Sequence, residues 1–428
     1  MINSAVLAGV IFILMYAFIV SEKIHRTIIA MIGAILMIFL GVIEQEVAIH
    51  HIDFNTLGLL IGMMIIVGIT GQTGLFNYVA IWAAKKAEAS PMKILIYLSL
   101  LTAVFSAFLD NVTTVLLMVP VTLSITEKLK IDPIPFLITQ IIASNVGGTA
   151  TLIGDPPNIM IGSAVKELTF IAFIDNLAFI SVVNLVIVLA ILAMLYKKCL
   201  KTQDELKQDL MKMDEKAELK DITMLKKCLA VLTLTILGFF SHQALHLESS
   251  AVALAGGFLL LLIASRDHMF TEKMLDKVEW ATIFFFVGLF IAVGGLIETG
   301  IISRIAEIAL EITGGDLTYT SLLILWLSAI VSAFLDNIPF VATMIPMIQD
   351  MGAAGISDLE PLWWSLALGA CLGGNGTIVG ASANLIVAGL AAERGYRLMF
   401  LQYMKVGFPI MILTIIISTG YIYLRYLM

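Results

Sequence analysis

Long apolar segments dominate this sequence and limit the folds that it can adopt. Several uninterrupted runs reach about 20 residues, the length that an α-helix needs to cross a bilayer. Of the 428 residues, 60% are apolar and only 13% are charged, and a water-soluble domain could not bury so much apolar surface. The alternating segments of a membrane β-barrel do not occur. We therefore predict an all-α polytopic membrane protein with about ten spans.

An internal repeat organises the chain. The sequence SAFLDN occurs at Ser106–Asn111 and again, 226 residues later, at Ser332–Asn337. The same offset holds without a gap from position 62 to position 158, which is not expected by chance. Repeats that contain paired interrupted segments are typical of secondary transporters. The offset relates Gly62 to Gly288, Pro120 to Pro346, Gly147-Gly148 to Gly373-Gly374, Thr151 to Thr377, Gly154 to Gly380 and Asn158 to Asn384.

We predict two inverted repeats, residues 1–196 and 226–428, joined by a charged linker at residues 197–225. In each repeat, one apolar segment is interrupted by Asp-Asn, which predicts a re-entrant helical hairpin. Another is interrupted by glycines, which predicts a helix that unwinds part-way. The predicted boundaries are 93–130 and 319–350 for the hairpins, and 135–168 and 362–392 for the broken helices.

The distribution of basic residues predicts the orientation. With the N-terminus outside, all 25 Lys and Arg residues except Lys166, Arg304 and Arg425 lie on the inner side. Because cytoplasmic loops are enriched in Lys and Arg, this places the linker 197–225 in the cytosol. The two repeats then enter the bilayer from opposite sides. We predict an integral protein of an inner-membrane-type cell membrane, bacterial or archaeal.

Two aspartates, Asp110 and Asp336, interrupt the predicted hairpins. A carboxylate at membrane depth costs about 2.5–3.5 kcal/mol and therefore indicates function, although aspartate is also a good helix N-cap. Asn111 and Asn337 follow directly and offer amide oxygens to a hard cation. We predict that Asp110 and Asp336 exchange H⁺ or Na⁺, and that Asn111, Asn337 and backbone carbonyls complete the site. The serines of the repeated hexapeptide, Ser106 and Ser332, belong to the same predicted site.

The two broken segments supply the remaining candidates. They read NVGGTATLIGDPPN in the first half and GGNGTIVGASAN in the second. Irregular backbone at membrane depth survives only in a cavity or inside protein, so we expect its freed carbonyl groups to bind Na⁺. Asp155 either binds the solute or only caps the next half-helix. The candidate side chains are Thr151, Asp155, Asn158, Asn375, Thr377 and Asn384, and the candidate backbone positions are Gly147, Gly148, Gly154, Gly373, Gly374 and Gly380.

The charges within the apolar runs favour a cation, a proton or a neutral polar solute. No Lys or Arg lies within such a run, so an anion would have only amides, helix dipoles and bound cations to hold it. Cysteine and histidine spacings indicate no metal site or disulfide framework, and Cys371 is interpreted as a packing residue. Neither a nucleotide-binding loop nor a nucleic-acid-binding domain is indicated. We expect no cofactor other than Na⁺ or H⁺ as the coupling ion.

Through SAFLDNVTTVLLMVP and GGTATLIGDPPN, the chain resembles the ion-transporter superfamily. The branch of arsenite permeases, D-type sodium/proton antiporters and the melanosomal P protein is most similar, and sodium-coupled dicarboxylate symporters are more distant. The resemblance implies hairpin tips at Asp110-Asn111 and Asp336-Asn337, two unwound helices, scaffold and transport domains, an elevator-type motion and a homodimer. The dicarboxylate branch carries Ser-Asn-Thr at both tips, where this chain has Asp-Asn-Val and Asp-Asn-Ile. A cytosolic ATPase partner is left open.

We predict a secondary transporter, not an enzyme, coupled to H⁺ or Na⁺. Its predicted cargo is a small inorganic ion, moved either by arsenite- or antimonite-like efflux or by Na⁺/H⁺ antiport. An anion channel or uniporter and a Na⁺-coupled carboxylate symporter are alternatives. An intramembrane aspartyl protease using Asp110 and Asp336 is a further one, but it gives the glycine-rich breaks no role.

Overall fold

The computed structural model describes residues 4–21, 23–241, 245–265 and 268–428. These residues form helices joined by turns, and none of them lies in a β-strand. Eight of the described helical segments are long and apolar enough to cross a membrane. The predicted all-α membrane class is therefore confirmed.

Helix starts in the first half follow local sequence signals. Proline occupies the first turn of the helices that begin at Pro91 and Pro156, where its missing N–H costs nothing. Asp53 caps the helix that begins at Phe54 and accepts a hydrogen bond from the Asn55 N–H at 3.0 Å. The helices are α1 (Ser4–Ser21), α2 (Arg26–Phe39), α3 (Gln45–His50), α4 (Phe54–Gln72), α5 (Leu75–Lys86), α6 (Pro91–Phe108), α7 (Asn111–Lys128), α8 (Ile134–Gly148), α9 (Pro156–Ala164), α10 (Phe170–Phe173) and, after a π-helical turn, α11 (Phe179–Tyr196).

The second half repeats this order. Helices α4, α6, α7 and α9 each have a counterpart that begins 226 residues later. The repeat therefore specifies local structure as well as sequence, whereas its inverted topology and the domain boundaries remain predictions. The helices are α12 (Asp204–Met211), α13 (Ile222–Ser241), α14 (Ser249–Ala264), α15 (His268–Leu275), α16 (Trp280–Glu298), α17 (Ile301–Thr313), α18 (Leu317–Phe334), α19 (Asn337–Ala353), α20 (Glu360–Gly373), α21 (Ser382–Glu393) and α22 (Phe400–Ile422).

Two apolar helices are shorter than a typical membrane span. Helices α2 and α14 contain 14 and 16 residues. At 1.5 Å per residue they extend about 21 and 24 Å, less than the roughly 30 Å of a hydrocarbon core. Both pack closely against longer helices, α2 against α16 and α14 against α4.

Thirteen of the described helices form two packed groups. The frame helices are α1, α2, α4, α14 and α16, and the hairpin helices are α6–α9 and α18–α21. Small residues allow close approach within each group: a Cβ added at Gly288 of α16 would lie 2.6 Å from the Ala30 backbone of α2. The groups meet where α9 packs against α4 and where α19 packs against α16.

The charged linker is partly helical and docks on the first half. Lys85 of α5 forms an ion pair with Glu215 at 2.5 Å. The Lys220 N–H donates to the Thr73 carbonyl at 3.0 Å. Gly74, beside this contact, has a φ of +83° and leaves no room for a Cβ against the Glu218 carbonyl. Its cytosolic location remains a prediction.

Candidate functional site

The two hairpin tips share one backbone design. Helix α6 ends at Phe108, Leu109 is extended, and Asp110 caps α7. The second half repeats this with Leu335 and Asp336, which caps α19. Both aspartates are buried. Both aspartates therefore cap a helix, which is one of the two roles that the sequence predicts for them.

Asp110 is satisfied within its own turn. Its carboxylate accepts hydrogen bonds from the Thr113 N–H at 2.8 Å and from the Thr113 hydroxyl at 2.5 Å. The Asn111 N–H donates to the Gly154 carbonyl at 3.1 Å, which attaches the tip to the first break. Asp110 thus has local partners and faces the rest of the site only indirectly.

Asp336 has a partner from another part of the chain. Proline stands at position 339, the repeat counterpart of Thr113, and offers neither a hydroxyl nor an N–H. Oδ2 of Asp336 instead accepts hydrogen bonds from Arg26 Nη1 at 2.6 Å and from the Ser382 hydroxyl at 2.7 Å. The expectation that no basic side chain serves this centre is therefore wrong. Because Arg26 neutralises Asp336 and no such cation pairs with Asp110 among the described residues, the two tips are not equivalent candidates for binding Na⁺.

Asparagine side chains hold the unwound backbone in each break. The Asn158 amide donates to the carbonyls of Thr149 and Thr151 at 3.1 and 2.9 Å. Asn384 does the same for Gly374 and Thr377, at 2.7 and 2.9 Å. We expected freed carbonyls to be open to Na⁺, but these already accept hydrogen bonds from protein.

Hydroxyl groups attach each hairpin to its break. Thr151 donates to the Ala107 carbonyl, and Thr377 donates to the Ala333 carbonyl at 2.5 Å. Ser106 donates to the Ser144 carbonyl at 2.7 Å. The hydroxyl of Ser332 is buried and has no hydrogen-bond partner among the described residues. Three of these four predicted site residues therefore have structural partners.

The six candidate glycines permit contact between the hairpins and the breaks. A Cβ at Gly154 or Gly380 would lie 2.6 or 2.7 Å from a serine carbonyl of the neighbouring hairpin. At Gly373 it would lie 2.7 Å from Ala329 Cα, and Gly147 faces Ala103 with even less room. Gly148 and Gly374 approach the far end of their own break. All six serve close packing, so a role for their carbonyl groups remains a prediction.

The two breaks are hydrogen-bonded to each other. Asn145 donates to Asn384 Oδ1 at 3.1 Å and to Asn375 Oδ1 at 3.0 Å. In the opposite direction, the Cys371 thiol donates to Asn158 Oδ1 at 3.4 Å. Position 371 is the repeat counterpart of position 145, so the contact is reciprocal although the residues differ. Sequence reasoning missed both roles, because neither residue matches its counterpart.

Asp155 is the unsatisfied acid of the site. It is fully buried, and neither carboxylate oxygen has a hydrogen-bond partner among the described residues. It lies beside the side chains of Asn111, Asn337 and Cys371 and within electrostatic range of Asp336. One amide atom each of Asn111 and Asn337 also has no partner in the described part of the chain. This arrangement can accept a proton or a small cation.

Comparison with known proteins identifies the family. The sequence profile described as "Citrate transporter" (CitMHS) matches residues 16–369. The chain belongs to the citrate transporter family. An uncharacterised transporter of Mycobacterium tuberculosis is 41% identical over 428 residues, covering 99% of both chains. The protein is therefore a transporter, as predicted.

Two further comparisons concern the predicted family resemblance and the fold. The human P protein is 34% identical to 98% of this chain, which spans 59% of that protein. The crystal structure of the YdaH transporter from Alcanivorax borkumensis matches with a TM-score of 0.58 at 14% identity, over 88% of this chain and 86% of that one. This similarity shows that the two proteins share a fold. The predicted resemblance to the P-protein branch is confirmed.

Proposed function

We propose that this protein is a proton-coupled secondary transporter in which Asp155 takes up the transported proton. The observation that carries the proposal is the buried Asp155 carboxylate, whose two oxygens have no partner among the described residues. An isolated charge in an apolar interior is strongly unfavourable, so such a group binds a proton or a cation. If Asp155 is reached alternately from the two sides of the membrane, its protonation and deprotonation are coupled to transport.

The oxygen atoms available around Asp155 favour binding of a proton over binding of Na⁺. A hard cation requires several oxygen ligands. The carbonyls nearest the break already accept hydrogen bonds from Asn158, and Asp336 is paired with Arg26. Within the described residues, no group of three His, Cys, Asp or Glu side chains could hold a metal ion. Na⁺ coupling is retained as an outcome of the experiment.

A small carboxylate anion is the first candidate substrate. The family profile is named for citrate, and Arg26 gives the site the positive charge that the sequence did not indicate. The small inorganic solute predicted from the sequence is the second candidate, because the Cys371 thiol lies beside Asp155 and thiols bind soft metalloids.

The aspartyl protease alternative has no support at the hairpin tips. Among the described residues, Asp110 and Asp336 are not hydrogen-bonded to each other, as a catalytic dyad would require.

The test is uptake into proteoliposomes with imposed pH or Na⁺ gradients. The substrates are citrate, arsenite, antimonite and chloride, with Na⁺/H⁺ exchange measured in parallel. We expect a pH gradient to drive uptake by the wild type and to have no effect on Asp155→Asn, because the amide cannot take up the proton. Downhill exchange of the substrate should persist in this variant.

The control is Asp175→Asn, the same substitution at an exposed position of the π-helical turn. It should retain the full response to the pH gradient. Undiminished proton-driven uptake by Asp155→Asn would overturn the role of Asp155. Wild-type flux that ignores both gradients would support the channel alternative.

A further inference from the structure

A cavity lies at the tip of the second hairpin. Its volume is about 280 Å³, near the lower limit of the roughly 300–1,000 Å³ found for ligand pockets, so it suits a small solute. It is lined by the end of α1, the turn before α2, the hairpin tip and the start of α21. Its polar lining includes Arg26, Asp336 and Ser382, and apolar side chains such as Ile24 and Leu385 complete it.

Arg26 enters this cavity with part of its hydrogen-bonding capacity unused. Nη1 donates both to Asp336 at 2.6 Å and to the Ser382 hydroxyl at 2.5 Å. A guanidinium group carries five N–H donors, and no hydrogen bond from Nη2 or Nε is found within the described residues. The centre of the Phe285 ring lies 4.9 Å from the guanidinium carbon. One edge of the fork is therefore open to a ligand.

Among the described residues, this arrangement occurs only at the hairpin tip of the second half. Pro339 stands where the first half has Thr113, and Ser382 stands where it has Pro156. The first substitution removes the threonine partner of the tip aspartate, which keeps the Ile338 N–H at 3.1 Å, and the second adds a hydroxyl beside it. Both departures change the partners of Asp336, which pairs with Arg26 from a frame helix. Two independent changes at one contact indicate a specialised site.

We infer that Arg26 binds a carboxylate group of the transported anion, and that Asp336 and Ser382, which are hydrogen-bonded to Nη1, orient Arg26. This inference rests on the proposed function. The planar guanidinium fork matches a carboxylate in a bidentate manner. Because Arg26 and Asp336 neutralise each other, a bound anion adds negative charge. A proton on Asp155, within electrostatic range of Asp336, offsets that charge.

The test measures binding of citrate and succinate to purified protein at fixed pH, with no gradient. Arg26→Gln should weaken binding about tenfold or more, because a charged hydrogen bond is lost. Asp336→Asn should bind more tightly than the wild type, because the amide oxygen can still accept a hydrogen bond from Arg26 while the negative charge that competes with the ligand is removed. A purely structural ion pair would instead make both variants lose binding together.

Two further variants keep the result interpretable. Arg26→Gln/Asp336→Asn removes the pair without leaving an unpaired buried charge, and it should bind as weakly as Arg26→Gln. Arg304→Gln removes an exposed arginine outside the cavity and should bind like the wild type. Monodisperse elution and an unchanged melting temperature without ligand show that each variant is folded.

Three results would overturn the inference. They are Arg26→Gln binding within twofold of the wild type, Asp336→Asn weakening binding as much as Arg26→Gln, and a wild type that binds arsenite or chloride but neither carboxylate. Failure of the proposed function looks different, because uptake would then ignore the pH gradient while the binding pattern of the variants persisted. Asp155→Asn should abolish coupling and retain citrate binding.

Discussion

At the scale of single residues, the Asn145 amide joins both breaks and one hairpin tip. It donates to Asn375 and Asn384 and accepts from Asn111 at 3.3 Å. Its repeat counterpart, Cys371, makes one long contact through a weak donor. The polar centre therefore depends unequally on two equivalent positions.

We predict that Asn145→Ala destabilises the protein more than Cys371→Ala. The first change leaves buried amide groups unsatisfied, at about 1–3 kcal/mol for each lost partner. The second removes one weak donor and a single sulfur atom. Thermal unfolding in detergent, followed by tryptophan fluorescence, compares the two variants. Equal melting temperatures would contradict this account of the centre.

At the scale of helices, contact between α20 and α18 depends on the absence of a side chain at Gly373. The equivalent contact in the first half, between α8 and α6, depends on Gly147. In each case the neighbouring helix presents backbone, which cannot move aside as a flexible side chain could. These glycines let each broken helix lie directly on its hairpin.

Gly373→Ala should therefore lower stability by about 1–3 kcal/mol, as expected for overpacking. Gly389 in α21 is a matched control, because a Cβ there meets nothing within 4 Å. Gly389→Ala should be neutral or stabilise the protein by about 0.4–1 kcal/mol. Melting temperatures of the two variants give the comparison, and a similar loss in both would exclude close packing as the reason.

At the scale of the whole molecule, the linker that joins the halves is fixed to the first half. The hydrogen bond from Lys85 lowers the pKa of the Glu215 carboxyl. A lowered pKa means that the contact stabilises the docked linker above the ordinary pKa of glutamate. This stabilisation is lost as the pH falls through the lowered pKa, where the carboxylate becomes protonated.

We predict that Lys85→Ala increases proteolytic cleavage of the linker at neutral pH. Lys86→Ala, a neighbouring exposed lysine, should not. In the wild type, cleavage by an acid-active protease should rise only below the ordinary glutamate pKa, and Glu215→Gln should reduce this pH dependence. Identical cleavage of both lysine variants would show that the ion pair does not hold the linker.

Much of the architecture was predictable because the repeat keeps one register. The Asp-Asn turns and the glycine-rich breaks occur where the sequence indicated, since each depends on residues close along the chain. Arg26 was not predictable, because its partner Asp336 lies 310 positions away and the repeat offers no counterpart. The repeat indicates that Asp155 is unusual, because its counterpart in the second half is Ala381. The lack of hydrogen-bond partners for Asp155 depends on tertiary structure and could not be predicted.

The reciprocal hydrogen bonds between the two breaks have a mechanical consequence. Asn145 and Cys371 tie each broken helix to the other, so the centre resists being pulled apart. Under the proposed transport function, we expect a solute held there to reach either aqueous side by displacement of this unit as a whole. Slippage would then occur along the surfaces between α9 and α4 and between α19 and α16, where the hairpin helices touch the frame helices.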